Sequence, residues 1–115
     1  MAYCQGLGIL FMSSPFDEDS ADLLETLDVA CFKMPSGEIT NLPFLGHVAR
    51  KSKPMIVSTG MSYIGEVDTA VQIIRRAGNQ EFVLLHCVSN YPAEPRDINL
   101  AAMATMSTAL SLIHI

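Results

Sequence analysis

The feature that most constrains this chain is a regular alternation of short apolar runs with longer segments of helical periodicity. The apolar runs lie at residues 9–13, 30–34, 55–58 and 82–88. The helical segments lie between them, at residues 20–27, 42–51 and 65–77. In each, apolar residues fall on one face: Leu23, Leu24 and Leu27 in the first, Leu45, Val48 and Ala49 in the second, and Val67, Ala70, Val71 and Ile74 in the third. Short continuous apolar runs are typical of buried parallel strands, and a strand, helix, strand order forms right-handed βαβ units. The sequence therefore predicts an α/β fold built on a parallel sheet.

Residues at the ends of the helical segments support this prediction. Asp19 or Ser20, Asn41 and Ser62 have side-chain oxygens that can accept hydrogen bonds from the first N–H groups of a helix. Gly78 follows the third segment and suits the left-handed conformation that ends many helices. We therefore expect three helices that begin and end close to these residues.

Composition excludes several classes of function. The seven Lys and Arg residues are scattered along a chain of net charge −5, so no basic stripe is available to bind nucleic acid. The apolar runs are far shorter than the roughly 20 residues that span a bilayer, so we expect no membrane partner and a cytoplasmic protein. Cys4, Cys31 and Cys87 lack the spacing of a metal site, and we expect Cys31 and Cys87 to be buried thiols.

A small polar cluster follows each apolar run. The clusters lie at residues 13–15, 35–38, 58–60 and 89–92. The carboxyl ends of parallel strands share one edge of a sheet, and barrel active sites form at that edge. The alternation alone does not choose between an open sheet and a barrel, but no glycine-rich nucleotide-binding motif follows a strand run. A complete eight-unit barrel needs about 250 residues, so this chain can hold about half of one.

Lys33 is the only formally charged residue within the four runs. An ammonium in a strand loses hydration, and only a nearby anion or a shifted pKa offsets that loss. Three interpretations remain open at this point. Lys33 forms a structural ion pair with Glu38, anchors a phosphate or carboxylate, or acts as a Schiff-base amine.

Hydrogen-bond donors at the same edge of the sheet favour the anion anchor. Ser14, Ser36 and Ser58 supply hydroxyl groups. Backbone N–H groups beside Gly37 and Gly60 also suit phosphate oxygens. The sequence therefore predicts an anion site around Lys33.

Five other side chains have types that can serve in an active site. Glu38 can accept a proton from a sugar hydroxyl or activate water, or it is a solvated carboxylate at a helix start. Tyr91 can bind a sugar hydroxyl or pack its ring. We expect His86 to be a hydrogen-bonded interior histidine, and no metal site in this chain. His47 and His114 are not predicted to be functional.

These residues belong to longer motifs. The motifs are Ser14-Pro-Phe-Asp-Glu18, Phe32-Lys-Met-Pro-Ser-Gly-Glu-Ile-Thr-Asn-Leu-Pro43, Ile56-Val-Ser-Thr-Gly-Met61, Leu85-His-Cys-Val-Ser-Asn-Tyr-Pro92 and Asp97-Ile-Asn-Leu100. In order and spacing they resemble the strand-end motifs of the sialic-acid synthase family. The resemblance covers residues 3 to about 106.

The resemblance implies a partial TIM (β/α)8 barrel of about four consecutive βα units. These units correspond to strands three to six, so the first two strands, the last two and a small antifreeze-like C-terminal domain are missing. We expect residues 1–106 to form this partial barrel and residues 107–115 to be a divergent tail. We also expect truncation at both ends.

Site residues follow from the resemblance by position. The substrate-binding residues that it implies are Ser14, Lys33, Ser36, Ser58, Ser89 and Tyr91. Of these, Lys33 and Ser36 would bind phosphoenolpyruvate, and Ser14 and Ser58 would line the same site. Ser89 and Tyr91 would contact substrate. Ser14 replaces a threonine common in the family, and position 89 varies in type, which weakens its assignment. Glu38 lies where the catalytic proton acceptor is expected, and Lys33 is the second predicted catalytic residue.

The resemblance also implies a reaction. C3 of phosphoenolpyruvate attacks the open-chain aldehyde of N-acetylmannosamine or a related amino sugar, water captures C2, and phosphate leaves to give a sialic acid. A divalent metal, Mn²⁺ or Mg²⁺, polarises the aldehyde, and its histidine ligands lie on strands outside this chain. We expect the full-length protein to be a homodimer and this chain to be inactive alone.

Two alternatives remain open on the residues. One is a Schiff-base aldolase that uses Lys33, and the other is a non-catalytic half-barrel that associates with another chain. The choice between N-acetylmannosamine, its 6-phosphate and a bacterial diamino sugar also stays open.

Overall fold

Helices cover one face of a small parallel sheet in this protein. A computed structural model of the chain describes residues 1–111. In chain order the helices and strands are α1 (Ala2–Gly6), α2 (Glu18–Thr26), β1 (Phe32–Met34), α3 (Leu42–Ala49), β2 (Met55–Ser58), α4 (Ile64–Arg76), β3 (Phe82–Leu85) and α5 (Ala101–Leu110). Single 3₁₀ turns at Ser36–Glu38 and Pro95–Asp97 follow β1 and β3. The predicted α/β class and strand, helix, strand order are confirmed.

The three strands lie side by side in the order β1, β2, β3, and both pairs are parallel. Met55 pairs with Phe32 on one side and with Phe82 on the other. Each strand is therefore hydrogen-bonded to the next strand along the chain, through connections that contain α3 and α4. This arrangement brings the loops that follow the three strands to one edge of the sheet.

The predicted strand at residues 9–13 is absent, so the described sheet has three strands rather than four. A strand requires a hydrogen-bonding neighbour, and this run makes no ladder with β1. Its contact in that region is between sulfur atoms, Met12 Sδ and Cys31 Sγ, at 3.2 Å. Leu10 is 85% exposed. Phe11 packs half-buried against the core, but the rest of the run is exposed, so the burial that the apolar pattern predicted is mostly absent from residues 9–13.

The core lies between the sheet and the helices that cover it. Alternate strand residues are buried: Phe32, Met34, Met55, Val57, Phe82 and Leu84. The predicted apolar faces of α3 and α4 pack against them and comprise Leu45, Val48, Ala49, Val67, Ala70, Val71 and Ile74. Because strand side chains alternate between faces, Lys33 extends to the opposite, half-exposed face.

The apolar face predicted for α2 is only partly correct. Leu24 is buried, but Leu23 is 58% exposed and Leu27 is 38% exposed. Ala21, not predicted to be part of this face, is fully buried. The helix thus packs through a narrower stripe than three leucines would form.

The helix starts differ slightly from the predictions. Asn41 caps α3 as expected. The N-cap of α2 is Asp17 rather than Asp19 or Ser20, because the Asp17 carboxylate accepts a hydrogen bond from the backbone N–H of Ser20 at 2.6 Å. α2 therefore begins two residues earlier than predicted.

The fourth helix begins after Tyr63 rather than at Ser62. The backbone N–H of Tyr63 donates to the Glu66 carboxylate at 2.7 Å, which satisfies a donor that the helix leaves free. Gly78 has a φ of +92° and follows the helix as predicted. Only glycine adopts this conformation without steric cost.

The last described helix crosses the predicted domain boundary at residue 106. α5 runs to Leu110, and both Met106 and Leu110 are buried. Residues 112–115, which include His114 and the end of the predicted tail, lie outside the described residues. The boundary stays a prediction. Within residues 1–111, no helix is long and apolar enough to cross a membrane.

We expect residues 1–115, expressed alone, to form an aggregation-prone or molten state rather than a cooperative monomer. Within the described part of the chain, β1 and β3 each have one edge without a neighbouring strand, and such edges favour association. Net stability is only about 5–15 kcal/mol even for intact domains, so an incomplete core removes much of it. Circular dichroism melting, size-exclusion chromatography and binding of a hydrophobic dye test this prediction. A sharp two-state melt of a monodisperse monomer without dye binding would contradict it and indicate a self-sufficient small α/β domain.

Candidate functional site

The site is centred on the Lys33 ammonium at the carboxyl edge of the sheet. Lys33 Nζ donates to Ser58 Oγ at 2.6 Å and to the backbone carbonyl of Met34 at 2.9 Å. Ser58 ends β2 and is only 5% exposed. Lys33 and Ser58 therefore join two neighbouring strands through one short, charge-assisted hydrogen bond.

Burial lowers the pKa of the Lys33 ammonium below its ordinary value, and the Cys87 side chain opposes that shift. The ion pair with Glu38, one of the three interpretations left open by the sequence, is not formed. Glu38 Oε2 instead accepts a hydrogen bond from Asn41 Nδ2 at 2.9 Å. Among the hydrogen bonds of the described residues, those of Lys33 go only to neutral groups.

A second lysine shows what a structural ion pair looks like in the same chain. The Lys51 side chain is 8% exposed, and its Nζ contacts the carboxylates of Asp22 and Glu25. Burial lowers the pKa of Lys51, but these two carboxylates outweigh it and raise the pKa overall. Lys33 lacks such partners within the described structure, so its charge is available to an anionic ligand.

Ser36 Oγ and Ser89 Oγ both lie close to Gly60, a residue of the loop after β2. The buried N–H of Gly60 donates to Ser36 Oγ at 3.1 Å. Ser89 belongs to the loop after β3. A Cβ atom at Gly60 would lie 2.9 Å from Ser36 Oγ and 2.6 Å from Ser89 Oγ. The loops after all three strands thus contact one another at this point.

The hydrogen bonds of the cluster formed by Lys33, Ser36, Ser58 and Ser89 leave two of its hydroxyl groups able to donate. Ser58 Oγ accepts from Lys33, and Ser36 Oγ accepts from the Gly60 N–H. A serine hydroxyl has one hydrogen to donate, and an oxygen that already accepts a bond can still donate it. No acceptor among the described residues takes either hydrogen. The cluster therefore presents an ammonium and two hydroxyl donors, which is the complement of a phosphate or carboxylate.

Three predicted site residues are not joined to this cluster by any described contact. Ser14 is half-buried and takes part in none of the hydrogen bonds of residues 1–111. Tyr91 is 92% exposed. Glu38 contacts Asn41. Lys33, Ser36, Ser58 and Ser89 lie at the same edge of the sheet, and the functional roles of all seven residues stay predictions.

Gly60 is the residue whose packing the sequence did not identify. The sequence predicted that backbone N–H groups beside Gly37 and Gly60 suit phosphate oxygens, which stays a prediction, and the N–H of Gly60 itself donates to Ser36 Oγ. A glycine directly after a strand is a signal of close backbone approach, and that signal was present in the sequence. The partners that approach Gly60 come from residues 24 and 29 positions away, so the sequence did not identify them.

A separate cavity of about 580 Å³ lies between the start of α4 and α5. Its lining includes Thr59, His86 and Cys87 but none of the clustered serines or Lys33. The predicted hydrogen bond of His86 is not found at its buried Nε2, which has no partner among the described residues. Cys31 and Cys87 are half-buried rather than fully buried. Lys33 and the clustered serines therefore do not line this cavity, although Thr59 and Met61 on either side of Gly60 do.

Comparisons with known proteins agree with the motifs. The NeuB family model matches residues 1–114. The N,N'-diacetyllegionaminic acid synthase of Legionella pneumophila is 48% identical over 110 residues, which are 92% of this chain and 31% of that protein.

Two solved structures are similar over almost the whole chain. The spore coat polysaccharide biosynthesis protein SpsE of Bacillus subtilis has a TM-score of 0.93 at 38% identity, covering 98% of this chain and 32% of that one. The N-acetylneuraminic acid synthetase of Leptospira borgpetersenii, solved with citrate, has a TM-score of 0.90 at 34% identity, covering 96% of this chain and 38% of that one. The chain spans about a third of the length of the relatives that it matches. Because the family model matches nearly all of it, the chain belongs to the NeuB family, the sialic-acid synthase family that its motifs predicted.

Proposed function

We propose that the complete protein condenses phosphoenolpyruvate with N-acetylmannosamine or a related 2-acetamido sugar to give a nine-carbon sialic acid and phosphate. It would thus be a carbon–carbon bond-forming transferase. The observation that supports this most directly is the cluster around the Lys33–Ser58 hydrogen bond, in which an ammonium without a carboxylate partner lies beside serine hydroxyls that donate to no described acceptor. Membership of the NeuB family adds independent support.

We propose that the described sheet is part of a TIM (β/α)8 barrel. In this proposal β1, β2 and β3 are barrel strands four to six, and residues 9–13 become strand three when the first strands of the barrel pair with them. The sequential parallel order of the strands supports it, since each barrel strand pairs with the next one along the chain. The cluster then lies at the face where barrel active sites form.

In the proposed mechanism, Lys33, Ser36 and Ser58 hold the anionic groups of phosphoenolpyruvate. The ammonium supplies charge, and the two hydroxyls fix orientation through bonds that a planar carboxylate or a phosphate accepts. Holding the enol in place against the sugar removes much of the entropic cost of a two-substrate reaction. Ser89 and Tyr91 would contact the sugar, and Ser14 would line the phosphoenolpyruvate site.

The reaction forms one carbon–carbon bond and replaces the C2–O bond to phosphate by a C2–O bond to water. C3 of phosphoenolpyruvate attacks the aldehyde carbon, and the aldehyde oxygen gains a proton and becomes a hydroxyl. Water adds to the electron-poor C2 and loses a proton, and the C2–O bond to phosphate then breaks as the C2 hydroxyl loses its proton and becomes the ketone of the product. We assign the proton from water to Glu38, whose Oε2 is held by Asn41 and whose Oε1 would accept it.

We also propose that the complete protein uses Mn²⁺ or Mg²⁺ held by residues outside this chain. Within residues 1–111, no three His, Cys, Asp or Glu side chains are grouped closely enough to hold an ion. The described residues therefore do not fit a metal site by themselves. We further propose that the complete protein is a cytoplasmic homodimer. Its acceptor substrate would be a 2-acetamido sugar. The relatives differ in the acceptor that their names imply, since one is a legionaminic acid synthase and another a neuraminic acid synthetase.

In the complete protein, we expect Lys33→Met to weaken phosphoenolpyruvate binding by about 100-fold, because hydrogen bonds to charged groups contribute about 3 kcal/mol. Calorimetric titration measures the change, and the melting temperature reports on the fold. Lys53→Met is a matched control, because it removes the same charge from an ion pair with the exposed Asp28. Unchanged affinity in Lys33→Met would rule out the proposed site.

We expect phosphoenolpyruvate affinity to fall as the pH rises through the pKa of Lys33, because only the protonated amine attracts the anion. Burial lowers that pKa, so the fall begins at a lower pH than for an ordinary lysine. Phosphate completes its ionisation near pH 6, well below this range. Lys33→Arg keeps its charge to pH 12 and should remove the dependence. The same decline in that variant would show that another group titrates.

A Schiff-base aldolase is the second candidate, because a lysine whose pKa is lowered by burial is a better nucleophile. It predicts an imine between Lys33 and a ketone substrate such as pyruvate. We expect borohydride to trap no adduct, because the proposed condensation forms no imine. Intact-mass spectrometry after borohydride treatment, with and without pyruvate, distinguishes the two. A mass increase that is lost in Lys33→Met would favour the aldolase.

A further inference from the structure

Gly60 is buried where the loops after β1, β2 and β3 meet. A Cβ atom there would lie 2.6 Å from Ser89 Oγ, 2.9 Å from Ser36 Oγ and 3.4 Å from the carbonyl oxygen of Cys87. Real Cβ atoms do not approach other atoms below 3.0 Å. Any other residue at position 60 would therefore displace both hydroxyls, while its contact with Cys87 would be close to an ordinary one.

The backbone of Gly60 does not itself require glycine. Positive φ angles occur elsewhere in this loop, at Met61 with φ +64°, but Gly60 is not among the glycines in that region. An alanine at position 60 could adopt the same backbone without the strain of a left-handed conformation. The requirement for glycine is thus set by the two serine hydroxyls rather than by chain geometry.

The N–H of Gly60 adds a directional effect. It donates to Ser36 Oγ at 3.1 Å, so it occupies one lone pair of that oxygen. The hydroxyl hydrogen of Ser36 must then point away from Gly60. The Gly60 N–H thus leaves the Ser36 hydroxyl hydrogen free to be donated to a ligand. The missing side chain of Gly60 leaves room for the Ser89 hydroxyl to lie close to the same residue.

We propose that Gly60 is a positioning residue, which acts through Ser36 and Ser89 and sets the distance between the two substrates. This inference rests on the proposed function, in which Ser36 binds phosphoenolpyruvate and Ser89 contacts the sugar. Both oxygens lie within 2.9 Å of the point that a Cβ at position 60 would occupy. The two subsites therefore meet at Gly60, and a methyl group there disturbs both.

The test uses Gly60→Ala in the complete protein. We expect at least a tenfold loss of phosphoenolpyruvate affinity in calorimetry and a raised KM for both substrates, with a nearly unchanged melting temperature. Gly65→Ala is the matched control. Gly65 lies in the first turn of α4, does not have a positive φ, and a Cβ there would have no atom within 4 Å. We expect Gly65→Ala to keep wild-type affinity and KM values.

A mutant cycle separates positioning from general damage to the loop. In the Ser36→Ala, Ser89→Ala background, both oxygens that crowd position 60 are gone, and the nearest remaining atom is at 3.4 Å. Adding Gly60→Ala should then reduce phosphoenolpyruvate affinity less than twofold. An equal loss in both backgrounds would overturn the proposal, because a merely structural role does not depend on the serines.

The remaining outcomes separate a failure of the proposed function from a failure of the positioning role. A wild-type protein that does not bind phosphoenolpyruvate refutes the proposed function itself. Wild-type binding together with full affinity and unchanged KM values in Gly60→Ala refutes only the positioning role. If Gly60→Ala does not fold, it is made in the Ser36→Ala, Ser89→Ala background, which removes both oxygens closer than 3.0 Å. Restored folding supports the proposed crowding, and continued misfolding overturns it.

Discussion

The candidate site depends on one ammonium that the sheet directs away from the core. Phe32 and Met34 are fully buried against the helices, so the pleat of β1 turns Lys33 to the other face. Its Nζ then reaches forward to the carbonyl of Met34 and to Ser58 on the neighbouring strand. Burial without a carboxylate partner among the described residues leaves this charge unbalanced. The serine hydroxyls at the same edge donate to no described acceptor, which is why we propose an anion site there.

The register of the sheet is what makes this arrangement possible. Lys33 is paired with Ile56 and Met34 with Val57, so Ser58 lies one position beyond the paired residues, toward the carboxyl edge. A slip of one residue would turn the lysine into the core and Phe32 into the open face. The packing of α3 and α4 against the buried face therefore stabilises the site indirectly, since it holds this register. The same register brings the three strand-end loops close enough to meet at Gly60.

Much of the architecture could be predicted because it depends on local patterns. The 3.6-residue periodicity of α4 placed its buried face correctly, and Asn41 marked the start of α3. The prediction of a strand at residues 9–13 was wrong because a strand forms only where a neighbouring strand supplies hydrogen-bond partners. The predicted apolar face of α2 was partly wrong for a similar reason. Leu23 and Leu27 have the right spacing, but burial depends on what lies opposite them.

The sequence by itself determined the α/β class, the parallel strand order, the family and the set of polar residues gathered at one edge. These follow from periodicity, turn residues and ordered motifs, which are properties of neighbouring positions. Only the tertiary structure decided the partners of the polar groups: Lys33 bonds to Ser58 rather than Glu38, and the Gly60 N–H bonds to Ser36. Those choices join residues 24 or 25 positions apart. Hydrogen bonds act over about 3 Å, so they are set by how the strands pack and cannot be inferred from spacing along the chain.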